Sequence, residues 1–296
     1  MNTLLARRPT APAPTIRAPN RLAEQITGRT YLSYSQVSLM RACPRKFSLT
    51  YQENAPRDFL PASLIFGGSI HSALQLFYGC ALEGLAVTHE ALLSAFHDAW
   101  KREQQRAGTD TPVRFNSGDD FDTLHGLADR MLRAFADSPL AKPKGSILAI
   151  EEELRIVLDA DLPDLLARVD LVTQTDGALH VIDFKTSRSR WSEQKALESA
   201  EQLQLYAVSV GGMSQNLALP VRLHFAILTK AKKPVVQLIP IPTDTDWDRL
   251  ATMRDSIRQV WQAIQGGNFY PSPSPQNCNG CPFRSRCPVF AGRKGG

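Results

Sequence analysis

Four cysteines near the two ends of the chain constrain its fold more than any other feature. Three of them, Cys278, Cys281 and Cys287, form a Cys-x₂-Cys-x₅-Cys pattern near the end. That spacing brings three thiols within reach of one metal ion or cluster, and a tetrahedral site needs a fourth ligand. Cys43 is the natural candidate, so the pattern predicts that the two ends meet. Zinc and an iron-sulfur cluster both accept thiolates, which leaves the metal open. The fifth cysteine, Cys80, lies in an apolar helical run and is predicted to be a core residue.

The composition is typical of a protein with a large core that needs no disulfides. The chain has 296 residues, of which 43% are hydrophobic. No apolar run reaches the roughly 18 residues of a membrane helix, and residues 1–8 lack the apolar stretch of a secretory signal. We therefore expect a cytoplasmic protein without a membrane partner. In that reducing compartment, closely spaced cysteines are more often metal ligands than disulfides.

The net charge of +5 comes from the two tails. Residues 1–30 contain five Arg and one Glu, and residues 271–296 contain four Lys or Arg and no acid. Basic tails are also ordinary solubilising ends, so the total charge supports a polyanion partner only weakly. The better candidates for phosphate contact are Arg188-Ser189-Arg190, Lys230-Ala231-Lys232-Lys233 and Arg45-Lys46.

The chain divides into three segments by pattern. Residues 1–30 are proline-rich and predict a disordered basic leader, residues 31–270 form the main domain, and residues 271–296 form a cysteine loop with a basic tail. The main domain includes a helical insertion at about 66–140, followed after Pro143 by strand-like segments. The predicted helices are 67–80 (opened by Gly67-Gly68-Ser69), 88–106, 119–137, 192–211 and 243–265, and the predicted strands are 147–158, 165–173, 179–184, 221–228 and 235–239. These elements indicate an α/β fold, and the absence of a G-x-x-x-x-G-K-[ST] loop argues against an ATP motor.

Two aspartates and a lysine form the second conspicuous pattern. Asp176-Gly177 is a strong two-residue hairpin turn, and that loop places Asp170 opposite Asp183. Like charges in directly paired positions repel each other, and Lys185 projects to the same side as Asp183. A divalent cation, Mg²⁺ or Mn²⁺, would relieve the repulsion. The alternative is a hairpin in which Arg168 and Lys185 form salt bridges with the two acids.

Two further polar groups lie on predicted helices. Gln202 and Tyr206 are four residues apart, so they share one helix face and could hold a phosphate or stack a base. The alternative is the polar rim of an amphipathic helix. A lone helical histidine such as His71 is usually a plain surface or core residue, and it gains weight only from the resemblance described next.

Together these segments resemble the PD-(D/E)XK nuclease superfamily, specifically its iron-sulfur branch. That branch includes nuclease domains of the RecB and AddB type and the CRISPR-associated adaptation exonucleases. The matching segments, in order, are Leu32-Ser33-Tyr34-Ser35 with Cys43-Pro44-Arg45-Lys46-Phe47, Gly67 to His71, Asp170, Asp183-Phe184-Lys185, Gln202 to Tyr206, and the closing cysteines. One departure is Ala167, where the family often has glycine three residues before the acid.

The resemblance implies a restriction-endonuclease-like core, a mixed β-sheet flanked by helices, with a helical N-terminal part and a C-terminal cysteine cluster loop. It implies that His71, Asp170, Asp183 and the carbonyl of Phe184 hold a catalytic Mg²⁺ or Mn²⁺. It also implies a [4Fe-4S] cluster, rather than zinc, on the four cysteines near the chain ends, Cys43, Cys278, Cys281 and Cys287.

The expected function is a metal-dependent DNA exonuclease that acts on single strands, in DNA repair, recombination or antiviral CRISPR adaptation. The expected catalytic residues are Asp170, Asp183 and Lys185, with Gln202 and Tyr206 steering the strand past the metal. Because no motor motif is present, we expect a helicase or an integrase to act in trans. The rival hypothesis is a non-catalytic DNA-binding subunit stapled by iron-sulfur or zinc. A weaker one is a zinc-stapled structural protein without a DNA role.

Overall fold

The computed structural model describes residues 20–108, 110–143, 145–211, 217–243 and 247–290. Most of the predicted basic leader, residues 1–19, and the end of the basic tail, residues 291–296, lie outside the described residues. So does Gly212, one of the two glycines predicted to stop the helix after Ser192.

Helices dominate the first half of the chain, and strands dominate the second half until a long helix near the end. The helices are α1 Arg21–Thr27, α2 Tyr34–Ala42, α3 Pro44–Phe47, α4 Ala62–Leu82, α5 His89–Ala107, α6 Phe121–Ala136, α7 Glu193–Glu198, α8 Glu201–Ser209, α9 Trp247–Gln265 and α10 Pro275–Cys278. The strands are β1 Tyr31–Ser33, β2 Leu60–Pro61, β3 Val113–Arg114, β4 Ser146–Ile156, β5 Asp164–Thr175, β6 Ala178–Ser187, β7 Val221–Thr229 and β8 Val236–Ile241. A π-helical turn, Ser48–Gln52, follows α3.

The core is a six-stranded mixed sheet. Its main path runs β1-β5-β6-β7-β8, and β4 pairs with β5 from the other side. The pairs β1/β5 and β6/β7 are parallel, whereas β4/β5, β5/β6 and β7/β8 are antiparallel. Short β2 and β3 form a separate parallel pair. The predicted α/β class, a mixed sheet flanked by helices, is confirmed.

The predicted hairpin between β5 and β6 is confirmed in its register. Thr175 pairs with Ala178 across the two-residue loop, and the pairing continues to Leu171 opposite Ile182. The ladder then stops, one position before the predicted pair of acids. This early stop opens the sheet where the candidate site lies.

Both faces of the sheet are covered by helices, which explains why its central strands are apolar on both sides. On one face, α4, α5 and α6 bury Ile182 and Phe184 together with Phe66 and Phe135. On the other face, α2, α8 and α9 pack against alternate residues of the same strands, such as Val181.

Three predicted features were wrong in detail. Residues 20–28 are not part of a disordered leader, because Asn20 caps α1 and Ala23 is buried. Gly67-Gly68 does not open a helix; α4 begins at Ala62, directly after Pro61, whose fixed φ suits a helix start. The helix predicted over 192–211 is divided into α7 and α8 at Ser199-Ala200.

Candidate active site

Asp170 lies where β5 changes partners along one edge. Upstream, β1 pairs with β5 as far as Leu166, and downstream β6 pairs with it from Leu171 onward. In the interval, the backbone amide of Phe184 donates to Asp170 Oδ2 at 2.7 Å. The carboxylate therefore replaces a ladder hydrogen bond and fixes the position of β6 where the two strands separate.

Glu151 approaches Asp170 from the opposite edge of β5. Ile150 pairs with Leu171 and Glu152 with Val169, so Glu151 lies across from Asp170. Its φ of +50° is in the left-handed region, which costs a residue with a side chain about 1–2 kcal/mol. Strained backbone of this kind is concentrated at functional sites.

Glu151 is not among the site residues predicted from the sequence, although a signal for it was present. Three consecutive glutamates, Glu151 to Glu153, interrupt a predicted strand that buries apolar residues on one side. In a half-buried strand, at least one residue of such a run must face the same side as the core residues. A carboxylate there needs a partner.

His71 completes a group of three ligands with Glu151 and Asp170. Its Nδ1 lies 3.6 Å from Glu151 Oε1 and 3.6 Å from Asp170 Oδ2. One ligand atom from each of the three residues lies within 4.8 Å of the other two. Burial alone would lower the pKa of His71, but the two carboxylates outweigh it and raise that pKa to about 10. The same negative field would attract a divalent cation, and one nitrogen with two carboxylates suits Mn²⁺ or Mg²⁺.

The structure brings together only some of the predicted metal ligands. His71 and Asp170 meet as expected, whereas Asp183 is not a member of the three-residue group and instead forms an ion pair with Lys185, Oδ2 to Nζ 2.7 Å. The predicted ligand roles of Asp183 and of the Phe184 carbonyl stay predictions.

Arg168 does not form the salt bridges that the alternative interpretation of the hairpin required. Its guanidinium lies 3.7 Å from Glu151 Oε2 and 3.1 Å from Glu153 Oε1, and its side chain is 60% exposed. Of the four predicted partners, only Asp183 and Lys185 form an ion pair with each other. Asp170 instead faces the histidine.

Asp183 begins a partly buried chain of polar side chains that reaches helix α8. Asp183 is 1% exposed, and this burial raises its pKa although Lys185 opposes the shift. Lys185 Nζ donates to Gln202 Oε1 at 3.4 Å, and the Gln202 amide donates to the hydroxyl of Tyr206. Burial would lower the pKa of Lys185, but Asp183 outweighs it and raises the pKa, so the lysine is an ammonium group at neutral pH.

The role predicted for Gln202 and Tyr206, steering the strand past the metal, stays a prediction. The two side chains share one face of α8 as expected, and Tyr206 is only 2% exposed, which leaves little of its ring for base stacking. Its burial and the nearby aspartates raise the pKa of the phenol. Gln202 contacts Lys185 directly, and Tyr206 contacts Gln202.

The four clustered cysteines line a single pocket with Arg45, Lys46 and Phe290. Cys43 lies between α2 and α3, and the other three follow α9 near the end of the described chain. Hydrogen bonds tie the two segments together: the Asn277 amide donates to Ala42 O at 2.7 Å, and Asp58 N donates to Pro282 O at 2.7 Å. The predicted meeting of the two chain ends is therefore present in the fold. Cys80 is half-buried on α4, outside this pocket.

Four thiols around one pocket suit either a zinc ion or an iron-sulfur cluster, because both take four thiolate ligands.

A match to a known protein family shows which superfamily the chain belongs to. Residues 31–288 match the sequence profile of the PD-(D/E)XK nuclease superfamily. The chain belongs to this superfamily. Its mixed sheet flanked by helices is consistent with the restriction-endonuclease-like fold of these nucleases, which generally use divalent metals. Membership in the iron-sulfur branch is a finer assignment that the profile does not make.

Individual relatives are distant in sequence. The Gene 69 protein of Mycobacterium phage L5 is 23% identical over 295 residues, which cover 87% of this chain and 96% of that protein. The Gene 69 protein of Mycobacterium phage D29 is 28% identical over 143 residues, 46% of this chain and 48% of that protein. The crystal structure of a protein from Eubacterium rectale, named "Putative exonuclease", matches with a TM-score of 0.51 and 12% identity, over 97% of this chain and 94% of the other. At this identity the match shows the fold alone.

Within the described ranges, no helix of this nuclease combines the length and the apolar character needed to cross a bilayer.

Proposed function

We propose that this nuclease is a metal-dependent DNA exonuclease that hydrolyses single strands and carries a structural [4Fe-4S] cluster. The observation that carries the proposal is the joint placement of three cation ligands, His71, Glu151 and Asp170, beside the Asp183–Lys185 ion pair. Cation ligands with a half-buried ammonium beside them can polarise a phosphate and stabilise the charge that develops during phosphodiester hydrolysis.

Each residue of the site has a distinct part in the proposed reaction. A divalent cation held by His71, Glu151 and Asp170 would supply a Lewis acid for the scissile phosphate. Lys185 lies beside these ligands, where it positions or deprotonates the attacking water and helps to stabilise the charge that develops on the phosphate oxygens. Asp183 fixes the ammonium on one side.

Gln202 fixes the same ammonium from helix α8, and Tyr206 fixes Gln202. These contacts give Lys185 a defined position before substrate arrives. Preorganised charges stabilise a transition state more than mobile ones, because no reorganisation is needed at the moment of reaction.

The structural role of the cluster follows from its position. The cysteine pocket joins the segment before α3 to the loop after α9, and Asn277 and Asp58 bridge the same two segments. A cluster there would close one flank of the domain, so its loss should loosen that flank.

Exonuclease activity is supported by the name of the structural neighbour from Eubacterium rectale and by the resemblance to the iron-sulfur branch. The preference for single strands rests on the resemblance alone. The expected helicase or integrase partner, and a role in repair or CRISPR adaptation, stay predictions.

The decisive experiment uses purified full-length protein with linear and circular single-stranded DNA, each with Mn²⁺, with Mg²⁺ and with EDTA. We expect metal-dependent release of short products from the linear DNA and little cutting of the circle. Lys185→Ala should abolish cutting, whereas Lys101→Ala, an exposed lysine on α5, should leave it unchanged. Retention of full activity by Lys185→Ala would reject the assignment of the cutting to this site. Binding of DNA without any cutting by the wild type would reject the enzyme in favour of a binding subunit.

The cluster is tested separately by elemental analysis and visible absorbance of protein purified without oxygen. Iron, sulfide and a brown colour are expected. Zinc without iron would overturn the cluster assignment and leave the nuclease proposal intact.

A further inference from the structure

Two basic side chains follow the strands that lead away from the ion pair. Strands β6 and β7 are parallel neighbours whose last pair is Ser187 with Thr229. Directly beyond it, Lys230 N donates to Ser187 O at 2.6 Å. Arg188 and Lys230 therefore lie side by side, three residues past Lys185 along β6.

Lys230 is held against the helix that carries His71. Its Nζ lies 4.8 Å from the centre of the Phe66 ring, and Phe66 is buried on α4. Phe66 precedes His71 by five residues, about 7.5 Å along the helix axis. The ammonium group thus lies against the same helix that supplies one of the three cation ligands.

Neither basic group is neutralised in the part of the chain that the structure describes. No described carboxylate forms an ion pair with Lys230 or Arg188, while Lys185 and Arg168 both have acidic partners. Burial lowers the pKa of Lys230, the charge of Arg188 lowers it further, and Asp119 only partly opposes the shift. Two neighbouring cations, one of them half-buried, are unfavourable for the protein alone and favourable once an anion lies between them.

The surface between these cations and the three cation ligands has little side-chain cover. A Cβ added to Gly68 on α4 would meet no atom within 4 Å, and one added to Gly67 would meet only Thr186 Oγ1, at 3.7 Å. Gly67 precedes His71 by one helical turn. The helix backbone is therefore open to close approach along the path from the ligands to Lys230.

We propose that Lys230 and Arg188 form a second phosphate site of this nuclease, which binds the phosphodiester of a nucleotide near the scissile one. The strand runs over Gly67 and Gly68 of α4 between the two phosphate positions. This inference rests on the proposed function, because it assigns a substrate contact to that same site. It adds two positioning residues outside the group that performs the chemistry.

The test scans single phosphates with neutral methylphosphonates in a short single-stranded DNA. The variants are Lys230→Gln and Arg188→Gln, with Lys101→Gln as the matched control on the exposed face of α5. We expect wild type and control to lose roughly tenfold in kcat/KM at one methylphosphonate position next to the cleaved bond. On DNA with all its phosphates, Lys230→Gln should have a kcat/KM roughly tenfold below that of wild type. A methylphosphonate at that one position should then lower its kcat/KM no further.

A uniform slowing of Lys230→Gln at every position would indicate a structural defect and overturn the site. Unchanged kinetics would overturn it as well.

Binding by fluorescence anisotropy keeps the inference separate from the nuclease proposal. If wild type does not cut DNA, the proposed function fails, and the second site is then judged by binding alone. Loss of one phosphate contact should reduce the slope of log K against log salt by about 0.7 for single strands. An unaltered slope and affinity in both variants would refute the site irrespective of catalysis.

Discussion

Replacing Glu151 tests whether this residue binds the metal or stabilises the fold. Its φ of +50° costs a residue with a side chain about 1–2 kcal/mol, and its carboxylate shares His71 with Asp170 at 3.6 Å each. Two carboxylates around one point repel each other unless a cation lies between them. A residue retained for stability alone would avoid both features.

The expected effect on stability without metal is small. Glu151→Gln keeps the backbone strain and the side-chain size but removes the charge, so repulsion from Asp170 and attraction to His71 are lost together. Glu151→Gly relieves the strain, while the added freedom of the unfolded chain costs about 0.5–1 kcal/mol. Both variants should therefore lie within about 1 kcal/mol of wild type in the free energy of unfolding.

The expected effect on metal binding is large. At a Mn²⁺ concentration 100 times its Kd, wild type gains about 2.7 kcal/mol of stability. If the lost ligand weakens binding about 100-fold, the variant gains only about 0.4 kcal/mol at the same concentration. For a domain of this size, these gains correspond to rises in Tm of about 5–10 °C and about 1 °C.

The assay is thermal unfolding by circular dichroism at a fixed scan rate, with EDTA or with Mn²⁺. Glu153→Gln is the matched control, because Glu153 lies on the same strand, also contacts Arg168 and is 52% exposed. The control should keep the full Mn²⁺-induced rise in Tm. Glu151 is not a metal ligand if Glu151→Gln keeps the full Mn²⁺-induced rise in Tm. It is a stabilising residue if Glu151→Gly loses several kcal/mol in the free energy of unfolding in EDTA.

Three further outcomes follow from the structure. Lys185→Ala should lower the rate of DNA cleavage roughly 100- to 1000-fold while keeping the Mn²⁺-induced rise in Tm, and loss of that rise would indicate a role in metal binding. Cys281→Ser should bleach the purified protein and lower its Tm, and unaltered visible absorbance would contradict a cluster at this pocket. Gly145→Ala should cost about 3 kcal/mol or more in denaturant unfolding, because φ is +79° and the new Cβ would lie 1.9 Å from Gln174 O. Gly177→Ala, whose Cβ would meet no atom within 4 Å, is its control, and equal losses would contradict the steric argument.

Local sequence patterns were sufficient to predict much of the fold. The Asp176-Gly177 turn set the β5/β6 register, because a two-residue loop leaves one way to pair the strands that bury their apolar faces. The i, i+4 spacing likewise placed Gln202 and Tyr206 on one face of α8. Helix starts were less predictable: α4 begins at Ala62 and not at Gly67, and Ser33 caps α2 because Gln36 completes a capping box with it.

The sequence by itself determined most of the helices and strands, the hairpin that carries Asp170 and Asp183, and the meeting of the cysteines at the two ends of the chain. Only the tertiary structure decided that Glu151 joins His71 and Asp170, that Lys185 is held from α8, and that the Lys230 ammonium packs against Phe66 of α4. The physical reason is the separation along the chain of the residues that interact. Turns and side-chain alternation act between near neighbours, whereas these contacts depend on the irregular β4/β5 pairing and on helices packing across a sheet.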